Sequence, residues 1–307
     1  MKSELLKIKD LSLAIGGNEI LKNINIRLQK GKTLGIVGES GSGKSITSLA
    51  IMGLLPKSAK IPIESKIIFN NENETVDLLK LKPNEIRNFR GNEISMIFQE
   101  PMTSLNPSLK CGEQVEESIR LHLKLDQSKS KKRVIELFEK VMLPTPERIY
   151  NSYPHQLSGG QRQRVMIAMA ISCNPKILIA DEPTTALDVT VQRTILDLIR
   201  QLQQESGMSC LFISHDLGVI AEVCDEVAVM YKGEIIEHGS VNEIFHHPKE
   251  SYTKGLIACR PRLVVRYKEL PTISDFIKDD NYRAEIYSAE ERKDFQLRIY
   301  NQPPILE

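Results

Sequence analysis

A glycine-rich loop between an apolar run and a helical pattern constrains the fold of this 307-residue chain more than any other feature. The loop, residues 38–45, reads G-E-S-G-S-G-K-S, and it follows Leu34–Val37 and precedes Ile46–Ile51. This is the strand, loop, helix order of a phosphate-binding loop, in which backbone N–H groups and the helix dipole bind phosphate oxygens. The predicted nucleotide contacts are Gly38, Glu39, Ser40, Gly41, Ser42, Gly43, Lys44 and Ser45.

Two side chains of the loop carry its specific chemistry. Lys44 would reach the β- and γ-phosphates of a nucleotide, and Ser45 would ligate Mg²⁺. The alternative is a Gly-Ser turn with one exposed lysine, because a short pattern of this kind also occurs by chance. The elements downstream favour the nucleotide site.

A pair of carboxylates ends a second apolar strand. The run Lys176–Ala180 has the length of a fully buried parallel strand, and Asp181 and Glu182 follow it directly. Asp181 would hold Mg²⁺ opposite Ser45, and Glu182 would take a proton from an attacking water. Without a phosphate loop upstream, the two acids would be N-caps of the next helix.

Two further polar residues end strand-like runs. Gln99 follows Ile94–Phe98, and its amide would coordinate Mg²⁺ or the attacking water. His215 follows Cys210–Ile213 and would contact a γ-phosphate. Read alone, Gln99 is an ordinary polar strand end, and a lone histidine is more often structural.

A second glycine-containing segment, Leu-Ser-Gly-Gly-Gln at 157–161, opens another helical pattern. A helix N-terminus of this kind offers backbone N–H groups, a hydroxyl and a dipole to an anion. In isolation the segment would be a Ser/Gly helix cap. The predicted contacts are Ser158, Gly159, Gly160 and Gln161.

The order of these elements resembles that of the nucleotide-binding subunits of ATP-binding cassette (ABC) transporters, over about Leu5–Ser240. The matching positions are 38–45 (Walker A), Gln99 (Q-loop), 157–161 (signature), 177–182 (Walker B), 186–188 (D-loop) and His215 (H-loop). Longer strings resemble the dipeptide, oligopeptide and nickel importer subfamily; they are 98–107, 153–156, 181–192 and 214–220. The resemblance implies an α/β fold: a P-loop NTPase cassette with a RecA-like core, an antiparallel β subdomain and a helical subdomain.

The resemblance also implies a mechanism and partners. ATP and Mg²⁺ would be the cofactors, and the signature would serve the ATP of a facing, homologous or identical, ABC subunit. ATP hydrolysis would drive integral-membrane permease subunits, which receive cargo from an extracytoplasmic substrate-binding protein. The chain would then be peripheral, at the cytoplasmic face of the inner membrane.

Two local expectations come from the same resemblance. Ile15 occupies the place where the family usually stacks an aromatic ring on adenine, so we expect weaker base stacking. Met102 and Leu105, in the stretch after Gln99, are expected on the surface that receives a short permease helix.

Composition separates the importer from an alternative class, a soluble ABC-type ATPase acting on nucleic acid or ribosomes. Lys and Arg number 41 against 40 Asp and Glu, for a formal charge of +1, so no nucleic-acid partner is expected. No apolar run approaches the ~20 residues that a bilayer requires. Membrane contact would therefore come through partners.

The expected domains are a cassette at 1–240, with a helical subdomain at about 100–165, and a linker-like C-terminal extension at 241–307. One helix would present Val134, Leu137, Phe138, Val141 and Met142 on an apolar face, after a solvated connection at Gln127–Lys132. The end at 301–307 resembles the junction before a second cassette in fused importer ATPases, which predicts one half of a longer protein.

Overall fold

The computed structural model describes residues 4–71, 74–99, 104–185, 187–259, 272–279 and 282. The chain divides into two compact units, Met1–Val241 and Asn242–Glu307. Among the described residues, no helix has both the length and the apolar character needed to cross a membrane.

The first sheet is antiparallel and comes mainly from the N-terminal part of the chain. Its order is β2-β1-β5-β6, with β4 beside β1. In β2, the buried Ile24, Ile26 and Leu28 alternate with the exposed Asn25 and Arg27, because successive side chains point to opposite faces. The strands are β1 (Glu4–Ile15), β2 (Asn18–Gln29), β4 (Ala59–Lys60), β5 (Lys66–Asn70) and β6 (Thr75–Asp77).

The second sheet is parallel except for its edge strand β11 and has the order β11-β10-β3-β9-β8-β7. Every residue of β3, β7, β8 and β9 is buried, which explains their near-continuous apolar runs. The strands are β3 (Thr33–Val37), β7 (Ile94–Ile97), β8 (Ile177–Asp181), β9 (Ser209–Ser214), β10 (Glu226–Tyr231) and β11 (Glu234–Ser240).

Helices follow the strands and also form a separate group between β7 and β8. In chain order they are α1 (Lys44–Met52), α2 (Pro83–Phe89), α3 (Cys111–Leu123), α4 (Gln127–Lys140), α5 (Pro146–Asn151), α6 (Gly159–Ile171), α7 (Val189–Ser206), α8 (Leu217–Val223) and α9 (Val241–His246). Helices α3 to α6 pack on one another, and α6 also packs on β7 and α7. This group carries the 157–161 segment.

The structure corrects two expectations about α4. The predicted connection at Gln127–Lys132 is wrong, because the helix begins at Gln127. The side chain of Asp126 accepts a hydrogen bond from the backbone N–H of Lys129 at 2.9 Å, which caps the helix and extends it through the basic run. Met142 is not part of the apolar face: it follows the helix with a φ of 56° and is 52% exposed.

The second unit contains α10 (Ser251–Ala258) and α11 (Ile273–Lys278). A Cβ at Gly255 would lie 3.1 Å from the Cβ of Phe276, so the two helices approach closely at a glycine. The Phe276 ring contacts Tyr282 edge to face at 5.0 Å between ring centroids. The end at 301–307, and with it the expected junction to a second cassette, lies outside the described residues.

Candidate nucleotide site

Two glycines of the loop between β3 and α1, Gly38 and Gly43, lie where there is no room for a side chain. A Cβ at Gly38 would lie 2.1 Å from the carbonyl oxygen of Met230 on β10. Gly43 has a φ of 110°, and a Cβ there would meet Leu21 at 2.6 Å. Both positions require glycine, so the loop's backbone is free to approach a ligand closely.

Lys44 folds back over the loop and is only 5% exposed. Its Nζ donates hydrogen bonds to the carbonyl oxygens of Gly38 and Glu39, each at 2.8 Å. Burial lowers the pKa of this ammonium, against the opposing charges of Glu182, Asp181 and Glu39. The loop therefore surrounds a largely desolvated cation, which suits an anionic ligand.

Ser45 and Asp181 meet across the loop and the end of β8. The Ser45 hydroxyl donates to Oδ1 of Asp181 at 3.1 Å, and Asp181 is 4% exposed. Burial raises the pKa of this carboxyl, and the hydrogen bond from Ser45 partly offsets the effect. A hydroxyl and a carboxylate in contact are the hard oxygen ligands that Mg²⁺ prefers.

Three side chains contact the carboxylate of Glu182. Oε2 accepts hydrogen bonds from Nε2 of Gln99 at 3.0 Å and Oγ1 of Thr185 at 2.9 Å, and Oε1 lies 3.1 Å from Nδ1 of His215. Burial acts to raise the pKa of Glu182, but the hydrogen bonds and the charges of His215 and Lys44 outweigh it and lower the pKa. The carboxylate is thus held ionised and oriented.

The structure brings most of the predicted catalytic and metal-binding residues to the carboxyl ends of the parallel strands, in two groups of contacts, one around Asp181 and one around Glu182. Gln99 bonds Glu182, and the described hydrogen bonds do not link it to the Ser45–Asp181 pair that was also expected to hold Mg²⁺. Thr185 was not singled out from the sequence. The one signal for it is its place three residues after Glu182, where a turn returns its hydroxyl to the carboxylate.

Ser158 is the exposed N-cap of α6. Its hydroxyl accepts a hydrogen bond from the backbone N–H of Gln161 at 3.3 Å, and the Gln161 side chain accepts one from the N–H of Ser158 at 3.0 Å. A Cβ at Gly160 would lie 3.0 Å from Val191, so the glycine lets α7 pack against the start of α6. The segment is a capped helix start at the surface.

Ile15 and the stretch after Gln99 lie apart from these contacts. Ile15 ends β1, is half-buried and pairs with Asn18 and Ala59, and its role beside adenine remains a prediction. Leu105 is 1% exposed, so its expected place on a permease-facing surface is wrong. It is a core residue. Met102 and the D-loop residue Ala186 lie outside the described residues.

Comparison with known proteins decides the family. A family model described as ABC transporter matches residues 21–185. The chain belongs to the ABC transporter family. The expected cassette fold is confirmed, and the comparisons show an ATP-hydrolysing cassette.

The relatives include ATP-binding subunits of importers. The chain is 51% identical over 265 residues to the oligopeptide transport ATP-binding protein OppD of Bacillus subtilis, covering 85% of this chain and 73% of the relative. It is 47% identical over 264 residues to the glutathione import ATP-binding protein GsiA of Escherichia coli K12, covering 84% of this chain and 42% of the relative. The chain thus spans less than half the length of this glutathione relative.

Solved structures give the same fold. A dimeric ATP-binding cassette in a post-hydrolysis state with ADP and Pi is 30% identical, with a TM-score of 0.67, and covers 77% of this chain and 98% of its own. The structure of cbiO1 from Clostridium perfringens, part of an ABC transporter complex, is 29% identical with a TM-score of 0.66, covering 80% and 91%. These similarities show the cassette fold for most of the chain.

Proposed function

We propose that this cassette is the subunit that binds and hydrolyses ATP to power an ABC importer of small peptides. The observation that carries the proposal is an array at the carboxyl ends of the parallel strands: the Lys44 ammonium interacts electrostatically with Glu182 and Asp181, and Asp181 is hydrogen-bonded to Ser45. The similarity to oligopeptide and glutathione import subunits supports a peptide as cargo, since glutathione is itself a tripeptide.

Each residue of the array has a chemical task. Lys44 exchanges the carbonyl oxygens of Gly38 and Glu39 for phosphate oxygens when ATP binds. Ser45 and Asp181 would hold Mg²⁺, which would neutralise charge on the β- and γ-phosphates. The contact between the two side chains and the burial of Asp181 support this assignment.

Glu182 accepts the proton of the attacking water. A general base needs an ionised carboxylate with a fixed direction, and the hydrogen bonds from Gln99, Thr185 and His215 supply both. His215 is 62% exposed on its side chain, so it can also turn toward a γ-phosphate. If a bound phosphate contacts Gln99 or His215, it changes the contacts that these side chains make with the Glu182 carboxylate.

A second cassette, membrane permease subunits and an extracytoplasmic substrate-binding protein complete the proposed assembly. The exposed N-terminus of α6, with Ser158, Gly159, Gly160 and Gln161, serves the nucleotide of the facing cassette. The chain works at the cytoplasmic face of the membrane, held there by its permease. Its formal charge of +1 gives no support to a nucleic-acid partner.

The test is to isolate the tagged chain from its own cells under mild detergent and identify what accompanies it. We expect integral-membrane permease subunits, and ATP-dependent uptake of di- to pentapeptides when the complex is reconstituted in vesicles with its binding protein. Co-isolation with ribosomes or nucleic acid and without a permease would contradict the proposal. Peptide-independent uptake of a metal ion would keep the importer and reject the cargo.

A further inference from the structure

A buried glutamine joins the helix of the signature segment to the turn of the catalytic carboxylate. Gln163 lies on α6 and is 1% exposed. Its Nε2 donates a hydrogen bond to the carbonyl oxygen of Pro183 at 2.6 Å. Pro183 directly follows Glu182, so the bond holds the peptide group next to the proposed base.

The turn that it holds is a strained one. Glu182 has a φ of 46°, in the left-handed region that side chains other than glycine rarely adopt. Such a conformation persists only when the surrounding structure fixes it from several sides. Here the N–H of Glu182 donates to the Ile213 carbonyl at 2.9 Å, the N–H of Thr185 donates to the Glu182 carbonyl at 3.2 Å, and Gln163 holds the Pro183 carbonyl.

Packing in the core does not by itself explain an amide side chain at position 163. Its Oε1 is buried with no hydrogen-bond partner among the described residues, and an unsatisfied buried acceptor is destabilising. An apolar side chain of similar length would fill the space without that loss. An apolar side chain cannot donate a hydrogen bond to Pro183. The amide of Gln163 is therefore explained by the turn that it holds.

The same helix presents the signature segment. Ser158 caps α6 five positions before Gln163, and Gly160 packs against Val191 at the start of α7. Because α6 is continuous over Gly159–Ile171, a displacement of its first turns moves Ser158 and Gln163 together. The donors offered to a facing subunit and the support of this chain's own base are on one rigid element.

We infer that Gln163 is a positioning residue that couples the Glu182 turn to the signature helix. The geometry of the base in the chain's own ATP site and the position of the donors that serve the facing subunit's ATP then change together. Gln163 acts through its hydrogen bond to the Pro183 carbonyl. The inference deepens the proposed function and rests on it for its catalytic consequence.

Two substitutions separate the hydrogen bond from packing. Gln163→Met keeps the length of the side chain and removes the donor, and we expect kcat for ATP hydrolysis to fall about 10-fold, the effect of one lost well-oriented hydrogen bond, with the Kd for ATP within about two-fold. Gln163→Glu keeps the shape, but it donates only when protonated. Its kcat relative to wild type at the same pH should therefore rise as the pH falls, whereas that of Gln163→Met should not.

Gln203→Met is the matched control. Gln203 also donates a hydrogen bond from Nε2 to a backbone carbonyl, that of Gly31, at 3.1 Å. Gly31 precedes β3, so this bond lies at the opposite end of that strand from the phosphate loop. This variant should hydrolyse ATP at the wild-type rate. Thermal unfolding of every variant gives the fraction that is folded, by which each rate is corrected.

A measurement without ATP tests the coupling itself. Backbone hydrogen exchange of Gln163→Met should accelerate in two segments, 158–163 and 182–185, while the Gln203→Met protein matches wild type in both. Acceleration in only one segment, or kcat losses that are equal for Gln163→Met and Gln163→Glu at every pH, would overturn the inference. If wild type shows no ATP hydrolysis, the proposed function fails, and the exchange result still decides whether Gln163 couples the two segments.

Discussion

The starts of α1 and α6 show two ways to build an anion-binding helix terminus. Helix α1 begins after Gly43, whose φ is 110° and which supplies no side-chain cap, beside the buried ammonium of Lys44. Helix α6 begins after Ser158, which is exposed and forms a reciprocal pair of hydrogen bonds with Gln161. No side chain caps the first terminus, whereas at the second the backbone N–H groups of Ser158 and Gln161 have side-chain partners.

This difference supports the proposal that the two termini serve different nucleotides. The first N–H groups of a helix need partners, and at α1 no side chain caps them, so phosphate oxygens are suitable partners. At α6 the capping box stabilises the helix start without ligand, which keeps the signature surface formed before a second subunit arrives. We expect damage at α1 to affect the chain's own ATP, and damage at α6 to affect the facing one.

The largest expected effect lies at the base beside α1. Glu182→Gln should lower turnover by about 10²- to 10⁴-fold, because an amide does not accept the proton of water, while ATP binding is retained. Phosphate release and equilibrium ATP binding measure the two quantities. Glu205→Gln, at a surface ion pair with Lys140 at 3.0 Å, is the matched control. Unchanged turnover in Glu182→Gln would reject this residue as the base.

Removal of the Lys44 ammonium should weaken the binding of ATP. Lys44→Ala should weaken the Kd for ATP about 10- to 100-fold, since a hydrogen bond to a charged group is lost. Isothermal titration measures the change. Lys32→Ala, which removes an exposed lysine paired with Asp225 at 2.6 Å, should leave the Kd unchanged. Equal affinities in Lys44→Ala and wild type would show that the buried ammonium does not contact phosphate.

The pH dependence reports the surroundings of Glu182. Its pKa is lowered in the folded chain, so the acid limb of kcat/KM should fall below the ordinary range of a glutamate. His215→Ala removes a hydrogen bond and a charge that lower this pKa, and the acid limb should move to higher pH. The lowered pKa of Glu182 also stabilises the folded chain. This contribution to the free energy of unfolding is present above the unfolded-state pKa and is lost as the pH falls through the folded-state pKa. An acid limb at the same pH in His215→Ala and wild type would show that His215 does not act on the pKa of Glu182.

The smallest effect is expected at the α6 cap. Ser158→Ala removes one capping hydrogen bond and should lower the free energy of unfolding by about 1 kcal/mol, as measured by urea denaturation. ATP binding to the chain's own phosphate loop should not change. A weaker Kd in this variant would contradict the assignment of α6 to another subunit's nucleotide.

Sequence patterns were most informative where function and fold depend on contiguous residues. The loop at 38–45, the strand before Asp181 and the start of the helix after Ser158 each follow from a few neighbouring residues. The start of α4 was missed because the charged run at Gln127–Lys132 has the composition of a loop, and a single cap, Asp126, decides its conformation.

Contacts between distant segments were beyond those patterns. Leu105 lies in a stretch bounded by prolines, and only tertiary packing reveals that it is 1% exposed. The bond between Gln163 and Pro183 joins residues 20 positions apart, one on α6 and one in the turn after β8, and glutamine on a helix is ordinarily an exposed residue. Local spacing carries no signal for such a pair.

The central claim is that α1 and α6 serve different nucleotides in one dimer, and complementation tests it most directly. Ser158→Arg and Lys44→Ala are each expected to be inactive at concentrations where wild type hydrolyses ATP. When the two are mixed in equal amounts, half of the randomly paired dimers carry both lesions in one composite site and none in the other, and about a quarter of the wild-type rate should return. No recovery in the mixture, or full activity of Ser158→Arg alone, would contradict the account.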